Sequence, residues 1–117
     1  TERIKNLVIG IIDNSQIEDK KNFPTLISES LGYNYTYLSN VFTELNGTSI
    51  KNYIINQKIK KACELLLYSN MTLSEIAWKL NYSSVQHLSN QFKKITGSSP
   101  TIYKKMRTEN SEKNHIQ

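Results

Sequence analysis

Apolar residues recur along this chain at intervals of three and four, the spacing of one helix face. Ile4, Leu7, Val8, Ile11 and Ile12 form the first such stripe and predict a helix over residues 2–13. Polar residues 14–22 predict a loop. Phe23-Pro24 opens a second helix, with Pro24 in the first turn, where a missing N–H costs nothing. Leu26, Ile27 and Leu31 face inward, and Gly32 ends the helix. A third helix is expected over 35–45, with Leu38, Phe42 and Leu45 on one face and Val41 at its edge. A long fourth helix over 49–69 carries Ile55, Ile59, Ala62 and Leu66 as its buried stripe. Thr72-Leu73-Ser74-Glu75 is a capping box, and the fifth helix that follows it buries Ile76, Ala77 and Leu80. The sixth, over 85–96, turns Leu88, Phe92 and Ile95 inward. Ser99 caps the seventh, Pro100 begins it, and it is expected to end at Arg107 before a polar, disordered tail over 108–117. The expected fold class is all-α, with seven helices and no strands.

The pattern is duplicated. Leu38-Ser39-Asn40-Val41-Phe42 returns as Leu88-Ser89-Asn90-Gln91-Phe92, an offset of 50 residues. The same offset pairs Leu45 with Ile95, Gly47 with Gly97, Ser49 with Ser99 and Tyr53 with Tyr103. Leu31-Gly32-Tyr33 matches Leu80-Asn81-Tyr82, with one extra residue in the second turn. Asparagine is among the few residues that tolerate the left-handed conformation glycine supplies, so the two turns are expected to share a geometry. Two copies are too few for a solenoid. They indicate two similar subdomains, at 1–50 and 71–107, joined by a linker helix over 51–70.

Each copy reads as helix, tight turn, second amphipathic helix, the order of a helix-turn-helix. Thr36, Asn40 and Thr43 lie opposite the apolar face of the third helix, with Ser39 beside them. Gln86, Asn90 and Lys93 do the same on the sixth, with Ser89 beside them. These short or amide side chains can donate and accept hydrogen bonds to base edges. The linker of roughly 20 residues is about 30 Å long at ~1.5 Å rise per residue, close to the ~34–36 Å of one DNA turn. One chain is therefore expected to read two successive major-groove segments.

Charge agrees. The net charge is +5, but residues 1–48 carry 4 basic and 6 acidic side chains, whereas residues 49–117 carry 11 and 4. A basic second half points to an anionic partner. Mean hydropathy is -0.51 and no apolar run approaches the ~20 residues of a membrane span, so no membrane role is expected. Cys63 is the single cysteine, which excludes an internal disulfide and fits a reducing cytoplasm, and a DNA-binding role would make the protein nucleoid-associated there. It is expected to pack as a small apolar residue. Trp78 and Tyr68 are expected to pack between helices, and His87 to be a polar flank position. No metal constellation, cofactor motif or nucleophile–base pair is visible, so no enzyme activity is expected. The first residue is Thr1 rather than Met, which suggests a longer protein with an upstream effector or dimerisation domain.

The stretch Ile76-Ala77…Leu80-Asn81-Tyr82-Ser83-Ser84…Phe92-Lys93-Lys94-Ile95-Thr96-Gly97-Ser98-Ser99-Pro100…Tyr103-Lys104 resembles the signature of the AraC/XylS transcription regulators. The resemblance covers about residues 23–105. It implies two helix-turn-helix subdomains joined by a long helix, each placing its second helix in a major groove. Asn81 stands where the family usually has glycine, and Lys58 and Lys104 where it usually has arginine. Lysine keeps the charge but loses the bidentate fork. Asn40 and Asn90 stand where the family often carries arginine. The two arginines, Arg3 and Arg107, lie on neither recognition helix, so the common arginine–guanine contact is missing there. Asn and Gln pair with adenine instead, which predicts an A·T-leaning site.

The expected base-contacting residues are Tyr35, Thr36, Ser39, Asn40 and Thr43 in the first copy. In the second they are Val85, Gln86, Ser89, Asn90 and Lys93, with Val85 placed for a thymine methyl. Phosphate contacts are expected from Lys51, Lys58, Lys94, Tyr103, Lys104 and Lys105, and from the helix starts at Ser49 and Ser99. The expected partners are double-stranded DNA and RNA polymerase. The alternative is a helical protein–protein module, a degenerate helix-turn-helix that docks polymerase or another regulator. The acidic first half keeps that alternative open.

Overall fold

The structure, a computed structural model, describes residues 1–14 and 23–116, with side chains described for residues 1–13 and 23–108. The loop expected over 14–22 therefore lies, apart from Asn14, outside the described residues. Among the described residues there are seven helices: α1 (Glu2–Asn14), α2 (Phe23–Leu31), α3 (Tyr35–Asn46), α4 (Ile50–Tyr68), α5 (Leu73–Lys79), α6 (Val85–Thr96) and α7 (Pro100–Ile116). No strand occurs among the described residues. None of these helices is long and apolar enough to cross a membrane.

The chain divides within α4 into two units, Thr1–Gln57 and Lys58–Gln117. In the first, α1 packs on α2 and α2 on α3. Ile4, Val8, Ile12, Ile27, Leu38, Phe42, Ile50 and Ile54 are its buried core. In the second, α5 packs on α6 and α6 on α7. Its core is Ile59, Ala62, Leu66, Ile76, Ala77, Leu80, Tyr82, Leu88 and Phe92.

The duplication persists in three dimensions. Burial along residues 33–50 repeats position by position along 83–100. Phe42 stacks edge-on against Tyr53 with ring centroids 5.6 Å apart, and Phe92 against Tyr103 at 5.3 Å. Gly47 closes α3 by donating to Thr43 O at 2.8 Å, and Gly97 closes α6 by donating to Lys93 O at 2.8 Å. The turns before α3 and α6 each use a left-handed residue, Gly32 at φ 75° and Asn81 at φ 62°. Around Asn81 the bonds Tyr82 N→Ala77 O and Asn81 N→Trp78 O, at 2.9 and 3.1 Å, form a Schellman closure that satisfies the last carbonyls of α5.

Several expectations need correction. Leu45 is 69% exposed and Ile95 45%. Both lie on the apolar face but in the last turn, and beyond it the buried positions are Ile50 and Pro100, which begin the next helices. Ile54 takes the buried place expected of Ile55, which is only half-buried. Trp78 and Tyr68 are 81% and 85% exposed rather than packed between helices. Each sits two residues after a buried position, about 200° around the helix at 3.6 residues per turn, and so faces away from the core. Cys63 is only half-buried rather than packed away. α7 does not stop at Arg107 but runs to Ile116. No glycine or proline follows Pro100 to break it, and Thr108 Oγ1 donates back to Lys104 O at 2.8 Å. Gln117 lies outside the described residues.

Candidate nucleic-acid interface

α3 begins where Asn34, in an extended conformation, accepts the Thr36 N–H on Oδ1 at 2.8 Å. α6 begins in the same way at Ser84, whose Oγ accepts the His87 N–H at 3.0 Å. These caps satisfy an otherwise unpaired donor at each helix start. They also fix where each recognition helix begins, and hence which residues lie on its outer face.

That face is polar in both units. On α3, Thr36, Asn40 and Thr43 are exposed, with Tyr35 and Ser39 half-buried at its flank. Burial raises the Tyr35 phenol above its ordinary range, so it stays a neutral donor. Thr43 Oγ1 donates to Ser39 O at 2.9 Å, which leaves its oxygen as an acceptor. On α6, Gln86, Asn90 and Lys93 are exposed, with Val85 and Ser89 half-buried beside them. Gln86 Nε2 donates to Asn90 Oδ1 at 2.7 Å. Lys94 is exposed next to Lys93.

The helix starts expected to hold phosphate are built alike. Ser49 Oγ accepts the Asn52 N–H at 3.1 Å, and Ser99 Oγ accepts the Ile102 N–H at 3.3 Å. Lys51 is exposed in the first turn of α4, and Lys104 and Lys105 are exposed on α7. A helix N-terminus with nearby lysines is a natural anion site. Lys58 and Tyr103 are placed differently. Lys58 is half-buried with Nζ 5.0 Å from the Tyr82 ring centroid, and burial lowers its ammonium from the ordinary range. Tyr103 packs on Phe92 beneath the Arg107 guanidinium, 5.2 Å from the ring. The hydrogen bond with Cys63 raises its phenol, and desolvation adds to the effect.

Behind the outer face of α6, Tyr82 Oη donates to Gln91 Oε1 at 2.5 Å. Burial pushes the Tyr82 phenol far above its usual range and keeps it a donor. The His87 ring stands edge-on to Tyr82 at 5.0 Å, with Nδ1 3.0 Å from Ser83 Oγ. Tyr33 and Tyr37 are both exposed at the start of α3, with rings 5.7 Å apart. Sequence reasoning did not single out Tyr37 or Gln91. Gln86 and Asn90 stand four apart on α6, the spacing that brings side chains together on a helix, whereas Tyr33 lies in the turn before α3 and reaches Tyr37 from there.

A family model described as a helix-turn-helix domain matches residues 27–106. The F1 operon positive regulatory protein of Yersinia pestis is 33% identical over 99 residues, which is 85% of this chain and 33% of that protein. The transcriptional activator AarP of Providencia stuartii is 31% identical over 78 residues, 67% of this chain and 58% of the relative. The chain thus spans less than two thirds of either relative. The C-terminal domain of AraT, a response regulator from Geobacillus stearothermophilus, is similar in structure, with a TM-score of 0.77 and 27% identity over 90% of this chain and 83% of that one. The DNA-binding domain of AdpA, solved in complex with a target DNA, shares the fold at a TM-score of 0.76 and 20% identity, over 92% of this chain and 94% of that one.

Proposed function

The chain belongs to the AraC/XylS family of helix-turn-helix transcription regulators and binds DNA, and from that premise we propose that a single chain reads two successive major-groove segments, one with α3 and one with α6. The observation that carries this reading is the repeat of burial and capping between residues 33–50 and 83–100. The same inner residues hold each recognition helix, and the same outer positions carry hydrogen-bonding side chains. α4 continues unbroken for 19 residues, about 28 Å at ~1.5 Å rise per residue.

Base contacts are assigned to Thr36, Ser39 and Asn40, with Tyr35 and Thr43 at the edge, and to Gln86, Ser89, Asn90 and Lys93, with Val85 against a thymine methyl. With amides where arginines would seek guanine, the directly read positions lean to A·T. Backbone contacts are assigned to the starts of α4 and α7 and to Lys51, Lys94, Lys104 and Lys105. Lys58 and Tyr103 support these elements from behind and meet the backbone less directly. The regulator works on nucleoid DNA in the cytoplasm, meets RNA polymerase there and has no catalytic role. It forms the reading end of a larger protein whose other part senses a signal or dimerises, as the share of its relatives that it spans supports.

Affinity for a ~30-bp duplex measured against salt tests the backbone contacts. The logarithm of the binding constant should fall linearly with the logarithm of salt concentration, by about 0.9 per phosphate neutralised. Lys104→Gln and Lys105→Gln should each flatten that slope by about 0.9. Unchanged slopes would remove α7 from the interface.

A further inference from the structure

On the exposed face of α6, the Gln86–Asn90 hydrogen bond joins two amides one helical turn apart. We infer that this bond makes the pair a single specificity-determining unit, which fixes the outward edge of each amide and so selects adenine over guanine at two neighbouring base pairs. The inference deepens the base-reading role proposed for α6 and rests on it.

A lone Asn or Gln is ambiguous to a base. With its carbonyl and NH2 both presented, it pairs with the N6 donor and N7 acceptor of adenine. Rotated so that the NH2 leads, it meets guanine, whose O6 and N7 are both acceptors. An amide free to turn therefore discriminates weakly between the two purines.

In the linked pair neither amide turns alone. A half-turn of Gln86 would set Oε1 against Asn90 Oδ1, two acceptors with no proton between them. A half-turn of Asn90 would set Nδ2 against Gln86 Nε2, two donors facing each other. Only a concerted turn, which sets Asn90 Nδ2 on Gln86 Oε1, keeps a bond, so the two orientations are coupled, and each amide keeps an outward donor and acceptor. Gln86 retains Oε1 and one N–H. Asn90 retains a lone pair on Oδ1 and both N–H groups. A guanine that takes the outward carbonyl–amide edge of either residue then sets an acceptor against that carbonyl oxygen and loses the second hydrogen bond that adenine keeps.

The first unit supplies an internal contrast. Thr36 and Asn40 occupy the corresponding positions on α3, and among the described residues no hydrogen bond joins their side chains. Asn40 keeps its freedom to turn. The base it meets should tolerate guanine better than the bases under α6.

The test compares affinities for a duplex carrying the selected site with affinities for its adenine-to-guanine variants at every position under α6. The proteins are the native chain, Gln86→Met, Asn90→Ala and the double variant. Methionine keeps the length and helix preference of glutamine but removes the bond. Circular dichroism melting confirms that each variant folds. The expected result is that Gln86→Met lowers the adenine preference about tenfold at two neighbouring base pairs, including the one read by Asn90, and that the double variant loses no more than either single one. Losses confined to one base pair per residue, multiplying in the double variant, would overturn the inference and leave α6 a base reader. No change of preference in any variant would overturn the base-reading role itself.

Discussion

Asn81 holds a backbone conformation that most side chains avoid, at φ 62°. Its tolerance was legible in the sequence, because asparagine aligned with Gly32 and few residues other than glycine accept that conformation. Asn81→Gly is expected to keep or raise stability by up to about 1 kcal/mol, and Asn81→Val to lower it by about 1–2 kcal/mol, read from urea denaturation midpoints. The candidate site was legible at the level of residue type and position: Thr36, Asn40, Gln86 and Asn90 all lie exposed on their helices. The contacts among side chains were not. Helical spacing alone shows that Gln86 can meet Asn90, but not that it does, and it says nothing of Tyr33, which meets Tyr37 from the turn before α3. Nor does it show that Tyr82 reaches across nine residues to Gln91. The tilt and burial of Tyr82 come from packing of the whole second unit.

At the scale of elements, the capping motifs carry the clearest consequences. Thr72 and Glu75 satisfy each other's backbone N–H groups at the start of α5, at 2.9 and 3.2 Å. The hydrogen bonds to Thr72 hold the Glu75 carboxyl below its ordinary range. A carboxyl lowered by folding contributes stability above its unfolded value, and that contribution is lost as pH falls through the carboxylate range. The melting temperature of Glu75→Ala should therefore lie below that of the native chain at neutral pH and approach it as the medium becomes acidic. A gap that stays constant with pH would remove the ionised carboxylate from the cap. Thr72 and Glu75 were readable because a capping box is local. Leu45 and Ile95 were misread because helical periodicity says which face a residue shares and not where the core beneath that face ends. Trp78 and Tyr68 are exposed because angular position on the helix, rather than the size of the side chain, decides burial. α7 was read short because its apolar stripe fades after Tyr103, although nothing in its sequence breaks a helix.

Over the whole molecule, the two units are alike in build and unlike in charge. Residues 1–57 carry 5 basic and 6 acidic side chains, and residues 58–117 carry 10 and 4. The second unit should supply more of the electrostatic attraction to DNA. A Gln86→Ala/Asn90→Ala double substitution is thus expected to weaken binding more than Thr36→Ala/Asn40→Ala, measured by titration on one duplex at fixed salt. Equal losses would mean balanced engagement. The fold was legible because the internal repeat, the turn residues and the helical periodicity pointed to one arrangement. The boundary between units was less so, since α4 is one continuous helix and only packing divides it between Gln57 and Lys58. The central claim is that one chain reads two groove segments. Selection from a random ~30-bp duplex library, with sequencing of the bound fraction, tests it most directly. Two A·T-leaning boxes about one helical turn of ~34–36 Å apart are the expected result. A single box would contradict it, and two boxes dominated by G·C would keep it while overturning the A·T preference.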